Sequence, residues 1–355
     1  MRLTYFYLFL AIPMIALTGC HGEDPVPDKN LESVLIDQFQ PEGSILTEEN
    51  LAEAESTVLY AHEKEIEDLS GIEYTSHITR LTLDRNSITD LEPLSELTEL
   101  IFLSAESNSI SSIDALASLK KLQMLNLFQN SIVDLTPLAG LTDLEFLSLD
   151  SNKIIDISPL AGLLNLETLL LYDNNLKNLD ALKNLKSLTR LDLDSNRLED
   201  VSILASLPQL EMLNVTDNRL TEVDYFKKLT NLTVLNIDNN SIADISFMAY
   251  CPFLTEVTIS NNRLIDISVL AKLTSLRDLG LGSNNISDVS TLVGSSELST
   301  LGLEDNLIED IAPLVTSKML GENSTLVLTG NPLSQTAIER DIPALEARGV
   351  MVIFD

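Results

Sequence analysis

From residue 81 to residue 333 the chain repeats one short pattern of apolar and polar positions. The first complete unit shows it, with Leu81 and Leu83 on either side of a polar residue, then Asn86, then Ile88 and Leu91. Alternation with a period of two predicts a short β-strand that buries one face. Because no single unit could bury that face alone, we expect each strand to pair in parallel with the strand of the next unit.

The fixed residue of the unit is an asparagine that recurs every 22 residues and, at the last step, after 25 residues. The series is Asn86, Asn108, Asn130, Asn152, Asn174, Asn196, Asn218, Asn240, Asn262, Asn284, Asn306 and Asn331. Where the chain leaves a strand, buried backbone groups lose their ladder partners and need others. An asparagine side chain both donates and accepts hydrogen bonds, so we predict that this ladder is structural.

An acidic residue or a close mimic recurs four positions after each asparagine. The set is Asp90, Ser112, Asp134, Asp156, Asn178, Asp200, Glu222, Asp244, Asp266, Asp288 and Asp310. Such side chains cap turns and short helices by accepting backbone N–H groups, and prolines such as Pro137 then suit the first helical position. A row of calcium sites is the alternative, but each turn offers too few oxygens and lacks the dense Asp/Gly pattern of calcium loops.

The unit L-x-x-L-x-L-x-x-N-x-I-x-D-I-x-P-L resembles the 22-residue leucine-rich repeats of the internalin family of bacterial surface proteins, over residues 59–333. The resemblance implies an α/β fold, a right-handed solenoid with a parallel concave sheet and short 3-10 or helical turns on the convex side. We expect about twelve repeats plus caps. Intracellular phosphatase regulators carry a related repeat, so the resemblance decides the fold more than the function.

The first twenty residues have the pattern of a targeting segment rather than of a repeat. Arg2 precedes an apolar run from Leu3 to Leu17, and Leu17-Thr-Gly-Cys20 follows, which resembles the lipoprotein signal of bacteria. The resemblance implies that Cys20 becomes the acylated N-terminus and anchors the protein to a membrane through its lipid chains. No Asp follows Cys20, which implies the outer membrane of a Gram-negative host. The alternative is an ordinary secretory signal with an incidental cysteine.

Five segments follow from these patterns: a signal peptide at 1–19, a flexible tether at 20–30, an N-terminal helical cap with a degenerate first repeat at 31–80, repeats at 81–333 and a C-terminal cap at 334–355. Thr47 is the expected N-cap of one short helix over 46–59, so the N-terminal cap is expected to be abbreviated. In the C-terminal cap, Ser334 should start a helix, Gly349 should end it, and residues 350–354 should add a last strand.

Bulk composition narrows the class of partner. The formal net charge is −32, which argues against nucleic acid and is compatible with a basic partner, although adaptation to salt would give the same composition. Cys20 and Cys251 are the two cysteines, so no disulfide framework exists, and we expect Cys251 to be a buried, inert thiol.

Side chains at six, four and two positions before each ladder asparagine should point out of the concave face. Equivalent positions of successive repeats form columns across the sheet. These columns contain an apolar set, Phe102, Met124, Phe128, Phe146, Leu170, Tyr172, Met212 and Val234. Around it we expect a rim of acids, including Asp150, Asp192 and Asp194. Exposed aromatic and methionine side chains on a sheet indicate a binding surface, here along an arc of roughly 55 Å for twelve strands. The alternative is that these side chains cover one another and bind nothing specific.

The sequence therefore predicts a monomeric, non-catalytic protein that binds a protein partner at the bacterial envelope. His21, His62 and His77 all precede the regular repeats, and no catalytic set, metal cluster or cofactor loop can be assembled from them. Two other functions remain open. One is an intracellular scaffold like the phosphatase regulators, and the other is a passive envelope component without a discrete ligand.

Overall fold

The computed structural model describes residues 25–41, 43, 45–293 and 298–355, and its main feature is one open sheet of fourteen parallel strands. The strands follow one another in chain order, each paired with the next, so the predicted parallel-sheet solenoid is confirmed. They are β1 Val58–Tyr60, β2 Arg80–Thr82, β3 Phe102–Ser104, β4 Met124–Asn126, β5 Phe146–Ser148, β6 Thr168–Leu170, β7 Arg190–Asp192, β8 Met212–Asn214, β9 Val234–Asn236, β10 Glu256–Thr258, β11 Asp278–Gly280, β12 Thr300–Gly302, β13 Thr325–Val327 and β14 Met351–Ile353.

Short helical turns on the other side of the molecule connect the strands. The 3-10 turns are Ile72–Tyr74, Glu92–Leu94, Asp114–Ser118, Thr136–Gly140, Ser158–Gly162, Asp180–Asn184, Ser202–Ser206, Asp224–Lys228, Ser246–Tyr250, Ser268–Lys272 and Ser290–Val293, and the α-helical turn α3 is Ala312–Thr316. We call this side convex and the exposed sheet face concave. A repeat of 22 residues leaves room for only one tight turn, which is why 3-10 geometry prevails.

The core between sheet and turns is almost entirely aliphatic. The middle residue of every strand from β1 to β13 is buried, and leucines such as Leu103 and Leu125 stand opposite one another in the register. Two buried rings, Phe226 and Phe247, pack edge to face at 5.4 Å between centroids. The thiol of Cys251 is buried beside them, so its predicted burial is confirmed, and burial raises its pKa to about 11.

The asparagine ladder ties each repeat to the one before it. Asn174, which is buried, donates from Nδ2 to the carbonyls of Leu149 at 3.0 Å and Leu171 at 3.2 Å and accepts the Ile154 amide at 2.9 Å. All twelve ladder residues repeat this arrangement, from Asn86, which accepts the Ile66 amide, to Asn331. The predicted structural ladder is confirmed, because each side chain satisfies backbone groups that no strand can reach.

The residue before each ladder asparagine adopts the left-handed backbone conformation. Eleven non-glycine residues from Arg85 to Asp305 have φ between 49° and 56° at this place, and Gly330 has φ 73°. Only Gly, and to a lesser degree Asn and Asp, enters this region at low cost. The short polar residues found here, such as Asp173, are therefore the local sequence signal for the turn.

The residue four positions after each asparagine starts the convex turn. Asp134 accepts the Thr136 amide at 2.8 Å, and Asp200 accepts the Ser202 amide at 2.7 Å. The bonds from the Thr136 hydroxyl and from the Thr136 amide lower the pKa of Asp134. The predicted capping is thus present, since these oxygens bind backbone amides.

The N-terminal cap is larger than the sequence suggested. Helix α1 spans Lys29–Phe39, and α2 spans only Glu48–Ala52, with the predicted N-cap at Thr47. The single helix over 46–59 and the abbreviated cap were therefore wrong, since β1 occupies 58–60.

The last part of the predicted tether also belongs to this cap. Val26 is buried, and the carboxylate of Asp28 accepts the amides of Asn30 and Leu31 and, across the cap, those of Glu67 and Asp68. Residues 25–30 are thus packed, and the boundary at residue 30 was wrong. The sequence signal was present in Asp28, a good N-cap, but its proline-rich surroundings concealed it. The predicted signal segment, Cys20 and the tether up to residue 24 lie outside the described residues.

The C-terminal cap matches the expected sequence of elements. Ser334 Oγ accepts the Ala337 amide at 3.2 Å, a π turn at Ala337–Asp341 leads into α4 at Ile342–Glu346, and Gly349 has φ 85°. The last strand, β14, pairs in parallel with β13 and places Met351 opposite Thr325.

Candidate binding surface

The register of the sheet places three large apolar side chains of the concave face next to one another. Phe102 pairs with Met124, and Met124 pairs with Phe146, on the adjacent strands β3, β4 and β5. Neighbouring strands lie about 4.8 Å apart, so these side chains form one continuous row. At its start the Arg80 guanidinium lies over the Phe102 ring, 4.3 Å from the centroid.

Beyond this row the predicted apolar surface is interrupted. In the same column Phe146 is followed by Thr168 and then Arg190, and only afterwards by Met212 and Val234. A charged side chain therefore separates Met212 from the aromatic row. The structure divides the predicted patch into a main part on β3 to β6 and a minor part on β8 and β9.

The main part widens at the carboxyl ends of the strands. Leu170 lies on β6, and Tyr172 and Phe128 follow β6 and β4 at the column two positions before the ladder. Asp150 occupies the same column between those two aromatic residues, because it follows β5. We call Phe102, Met124, Phe128, Phe146, Leu170 and Tyr172 the concave patch.

Exposure within the concave patch is uneven. Met124 is 39% exposed and Tyr172 37%, whereas its other four members are half-buried. Ile101, directly before Phe102, is 37% exposed and enlarges the patch. The sequence columns missed Ile101, since it lies one residue before the strand. Some mutual covering therefore occurs, but a contiguous apolar surface remains open to solvent.

The predicted acidic rim proves to consist of hydrogen-bond acceptors, of which Asp150 is buried and Asp192 and Asp194 are half-buried. Asp150 is only 9% exposed, and its carboxylate accepts the Tyr172 amide at 2.7 Å and the Ser148 hydroxyl at 3.1 Å. Asp192 accepts the Asp194 amide at 3.1 Å. Asp150 is therefore not a rim residue, and these side chains satisfy amides just beyond the ends of the strands.

The same solution recurs along the column two positions before the ladder. The amides of Glu106 and Ser260 are accepted by Asp84 and Asp238 of the preceding repeat. The amides of Phe128 and Thr216 are accepted by Asn126 and Asn214 of their own repeat. Either position can thus supply the acceptor, which explains why the sequence columns contain so many Asp and Asn residues.

Burial changes the acidity of these groups. It raises the pKa of Asp150 to about 6, with the nearby charge of Asp192 adding to the effect against the bond from Tyr172. Burial also raises the pKa of Asp192 and of Asp238, in part against their hydrogen bonds. A carboxyl that changes charge near pH 6 therefore lies between the rings of Phe128 and Tyr172.

The acids that do face solvent beside the concave patch are different ones. Glu145, Glu167 and Glu211 lie one residue before β5, β6 and β8 and are exposed. Asp194 is half-buried and accepts the Ser195 hydroxyl at 2.8 Å. A basic partner would thus meet glutamates at the amino ends of the strands, which the sequence interpretation did not single out.

Neither a metal site nor a membrane-spanning helix is found in the part of the chain that the structure describes. No group of three or more His, Cys, Asp or Glu side chains there is arranged to hold a metal ion. No helix there has the length and apolar character that crossing a bilayer requires.

Known proteins match this geometry closely. A family model described as leucine-rich repeats, two copies, matches residues 120–162, 164–206, 208–250 and 252–294. The crystal structure of an internalin from Listeria monocytogenes is 31% identical, with a TM-score of 0.86 over 93% of this chain and 96% of that chain. The chain belongs to the leucine-rich repeat proteins of the internalin type. A search of curated protein sequences gave no significant match to this internalin-type chain.

More distant structures share the fold alone. A plant peptide hormone receptor in complex with its ligand RGF2 is 19% identical, with a TM-score of 0.51 over 76% of this chain and 59% of that chain. The complex of TLR13 with a single-stranded RNA is 19% identical, with a TM-score of 0.62 over 87% of this chain and 56% of that chain. The fold thus serves ligands of different chemistry, so the ligand of this internalin-type protein has to be argued from its own surface.

Proposed function

We propose that this internalin-type protein is a non-catalytic binding protein of a bacterial envelope that recognises a protein partner through its concave patch. The observation that carries the proposal is the row of Phe102, Met124 and Phe146 on three adjacent strands, continued by the exposed ring of Tyr172. Large apolar side chains on a solvated sheet are costly unless a partner covers them, and aromatic residues dominate the energetics of protein interfaces.

The charges around the concave patch favour a basic protein over a nucleic acid. Glu145 and Glu167 are exposed beside the patch, Glu211 is exposed next to the minor part on β8, and the chain as a whole has a net charge of −32. A phosphate backbone would be repelled by this surface, since nucleic-acid binding requires clustered Lys and Arg. Lysines or arginines of a protein would instead be attracted, which acts mainly on association rate and specificity.

The test of the concave patch is affinity capture with a matched pair of variants. A chain that begins at residue 21 keeps the whole described core, which runs from Val26 to Val350. In the patch variant, Phe102, Met124 and Phe146 are each replaced by Thr, the residue that the chain itself carries in this column at Thr168. In the control variant, the exposed Ile155 and Ile265 are replaced by Ser, as at Ser111 in their column.

Envelope and host extracts would be presented to the three proteins and the captured proteins quantified by mass spectrometry. We expect at least one protein that the unaltered chain and the control retain and that the patch variant loses. If the patch variant captures the same proteins as the control, the concave patch is not the binding surface. The passive envelope component would then be the better interpretation.

The proposed anchor is tested separately. Metabolic labelling with a fatty-acid analogue should label the full chain and not a Cys20→Ala variant, and the labelled protein should fractionate with membranes. Label that persists in the variant would refute lipidation at Cys20. Retention of the unaltered chain in the cytosol would favour the intracellular scaffold. In a Gram-negative host, we expect the labelled protein in the outer-membrane fraction.

A further inference from the structure

The convex side carries two aromatic side chains where the other described repeats of 22 residues carry small or polar ones. Tyr250 is 59% exposed and Phe253 58%. At the place of Tyr250, ten residues after a ladder asparagine, other repeats have Glu96, Ser118, Gly140, Gly162, Asn184, Ser206, Lys228 and Lys272. At the place of Phe253 they have Glu99, Lys121, Asp143, Asn165, Ser187, Gln209, Asn231 and Ser275. The same backbone therefore folds without these rings, and packing does not account for them.

Lysines surround these two rings. On the convex turns at 180–187, 202–209, 224–231, 246–253 and 268–275 there are five lysines and two aspartates, in a chain whose net charge is −32. The corresponding turn of the first regular repeat instead carries Glu92, Glu96 and Glu99. The turns themselves therefore carry more lysines than acids, while the exposed Asp200, Glu222, Asp244 and Asp266 border them at their amino ends.

Residues that are 22 positions apart touch one another in this fold. Lys121 reaches Glu99 at 2.6 Å, and Arg85 reaches Glu63 at 2.6 Å. By the same spacing Lys228 and Lys272 lie directly on either side of Tyr250. We call Lys183, Lys186, Lys228, Tyr250, Phe253 and Lys272 the back patch.

Most of the charge of the back patch is free to meet a partner. All four lysines are exposed, and among the described residues no carboxylate lies within ion-pair distance of Lys183, Lys228 or Lys272. Lys186 is engaged by a hydrogen bond to the Ser206 carbonyl at 2.5 Å. Lys227, next to the patch, is paired with Asp224 at 2.6 Å and is left out of it for that reason.

We propose that the back patch binds the surface of a negatively charged lipid bilayer. Lysine is depleted from protein–protein interfaces, whereas tyrosine and lysine together are typical of the headgroup region of a membrane. Long lysine side chains can keep their charges among the headgroups while the rings enter the boundary to the acyl chains. The concave patch lies on the opposite side of the solenoid, so both surfaces can be occupied at once.

The acidic remainder of the chain opposes this binding, so the affinity should be modest and sensitive to salt. Each lysine near an anionic bilayer is expected to change the partition coefficient about five-fold, which corresponds to about 1 kcal/mol. Replacing Lys228 and Lys272 together should therefore weaken binding about 25-fold. Raising the ionic strength from about 0.05 M to about 0.5 M should abolish most of it, because screening shortens the reach of these charges.

The experiment is co-sedimentation of the chain that begins at residue 25 with vesicles, so that neither Cys20 nor the apolar leader contributes. One set of vesicles contains equal parts of phosphatidylglycerol and phosphatidylcholine, and the other contains phosphatidylcholine alone. The aromatic variant is Tyr250→Ser with Phe253→Ser, and the charge variant is Lys228→Ser with Lys272→Ser, which use residues found in the same columns. The controls are Ile155→Ser with Ile265→Ser, and Lys153→Ser with Arg263→Ser, from other faces of the solenoid.

We expect the unaltered chain and both controls to sediment with the vesicles that contain phosphatidylglycerol and not with those of phosphatidylcholine. For both back-patch variants, the partition coefficient should fall at least ten-fold. The proposal is overturned if the unaltered chain does not bind these vesicles, or if the controls lose as much as the variants. Equal binding to phosphatidylcholine vesicles also contradicts it. A chain that forms dimers dissociated by Tyr250→Ser with Phe253→Ser, without vesicle binding, would show that a second copy covers the patch instead.

Discussion

Replacing one central ladder residue should cost much more than replacing its counterpart at the end of the sheet. In Asn174→Ala, the buried amide of Ile154 loses its acceptor at 2.9 Å, while the carbonyl of Leu149 loses one of its two donors and keeps the bond from Asn152 at 3.1 Å. A buried polar group without a partner costs about 1 to 3 kcal/mol. One such group, together with the weaker loss at carbonyls that keep a second donor, gives an expected loss of about 3 kcal/mol in the free energy of unfolding.

The counterpart Asn86→Ala removes the same bonds at a place that water can reach. Asn86 is half-buried, whereas Asn174 is 6% exposed. Since water can replace the missing partners at the end of the sheet, we expect a loss of about 1 to 2 kcal/mol there. Asn175→Ala, next to the ladder, is the control and should change stability by less than about 0.5 kcal/mol.

Urea unfolding followed by circular dichroism gives the three differences, and hydrogen exchange gives their location. Repeat proteins can unfold in parts, so the exchange rate of the Ile154 amide is the more direct measurement. It should rise strongly in Asn174→Ala and remain unchanged in Asn86→Ala. Equal losses for Asn174→Ala and Asn86→Ala would refute the reasoning that burial sets the cost.

Three further predictions concern single side chains. Burial raises the pKa of Asp150 from 3.8 to about 6, so the protonated carboxyl contributes stability below pH about 4 and this contribution is lost as the pH rises through 6. The expected loss in the free energy of unfolding is about 3 kcal/mol. The Asp150→Asn variant should not show this loss when its unfolding is measured over the same pH range. Gly71 has φ 99°, and a Cβ there would lie 2.2 Å from the Pro25 carbonyl oxygen, so Gly71→Ala should cost about 2 kcal/mol and make residues 25–39 sensitive to protease. Asp28→Ala should cost about 2 kcal/mol in the same unfolding assay, because four amides lose their acceptor, and Asp37→Ala on the exposed side of α1 is its control.

The solenoid could be predicted from the sequence because the same local pattern recurs twelve times. Each Leu-x-Leu and each ladder asparagine contacts only its own and the adjacent repeats, and each capping acid binds within its own turn. The register therefore follows from the spacing of 22 residues. The N-terminal cap has no such repetition. Asp28 binds amides near residues 30 and 67, and a contact over 39 residues cannot be inferred from a local pattern.

The members of the concave patch could be predicted from the sequence, but their exposure to solvent could not. Columns show which residues point outward, yet the hydrogen bonds that bury Asp150 depend on the neighbouring strand, where the amide of Tyr172 lies. Exposure also depends on the neighbours, since Phe102 is partly covered by Arg80 while Met124 remains open. The sequence columns therefore assigned the buried Asp150 to the rim and missed the exposed Glu145 and Glu167.

Comparison between repeats of one chain offers a way to separate architecture from function. A column whose members all make the same bond, such as the ladder that includes Asn174, is explained by the fold. The column that holds Asp150 is mixed, but its acids close backbone hydrogen bonds, so charge alone would overstate its functional meaning. Tyr250 and Phe253 differ from every other described member of their columns and make the solenoid no more compact. Departures of this kind, rather than the recurring acids, indicate selection for a second binding surface. The serine variants at these two positions measure the contribution of that surface to binding without disturbing the repeat.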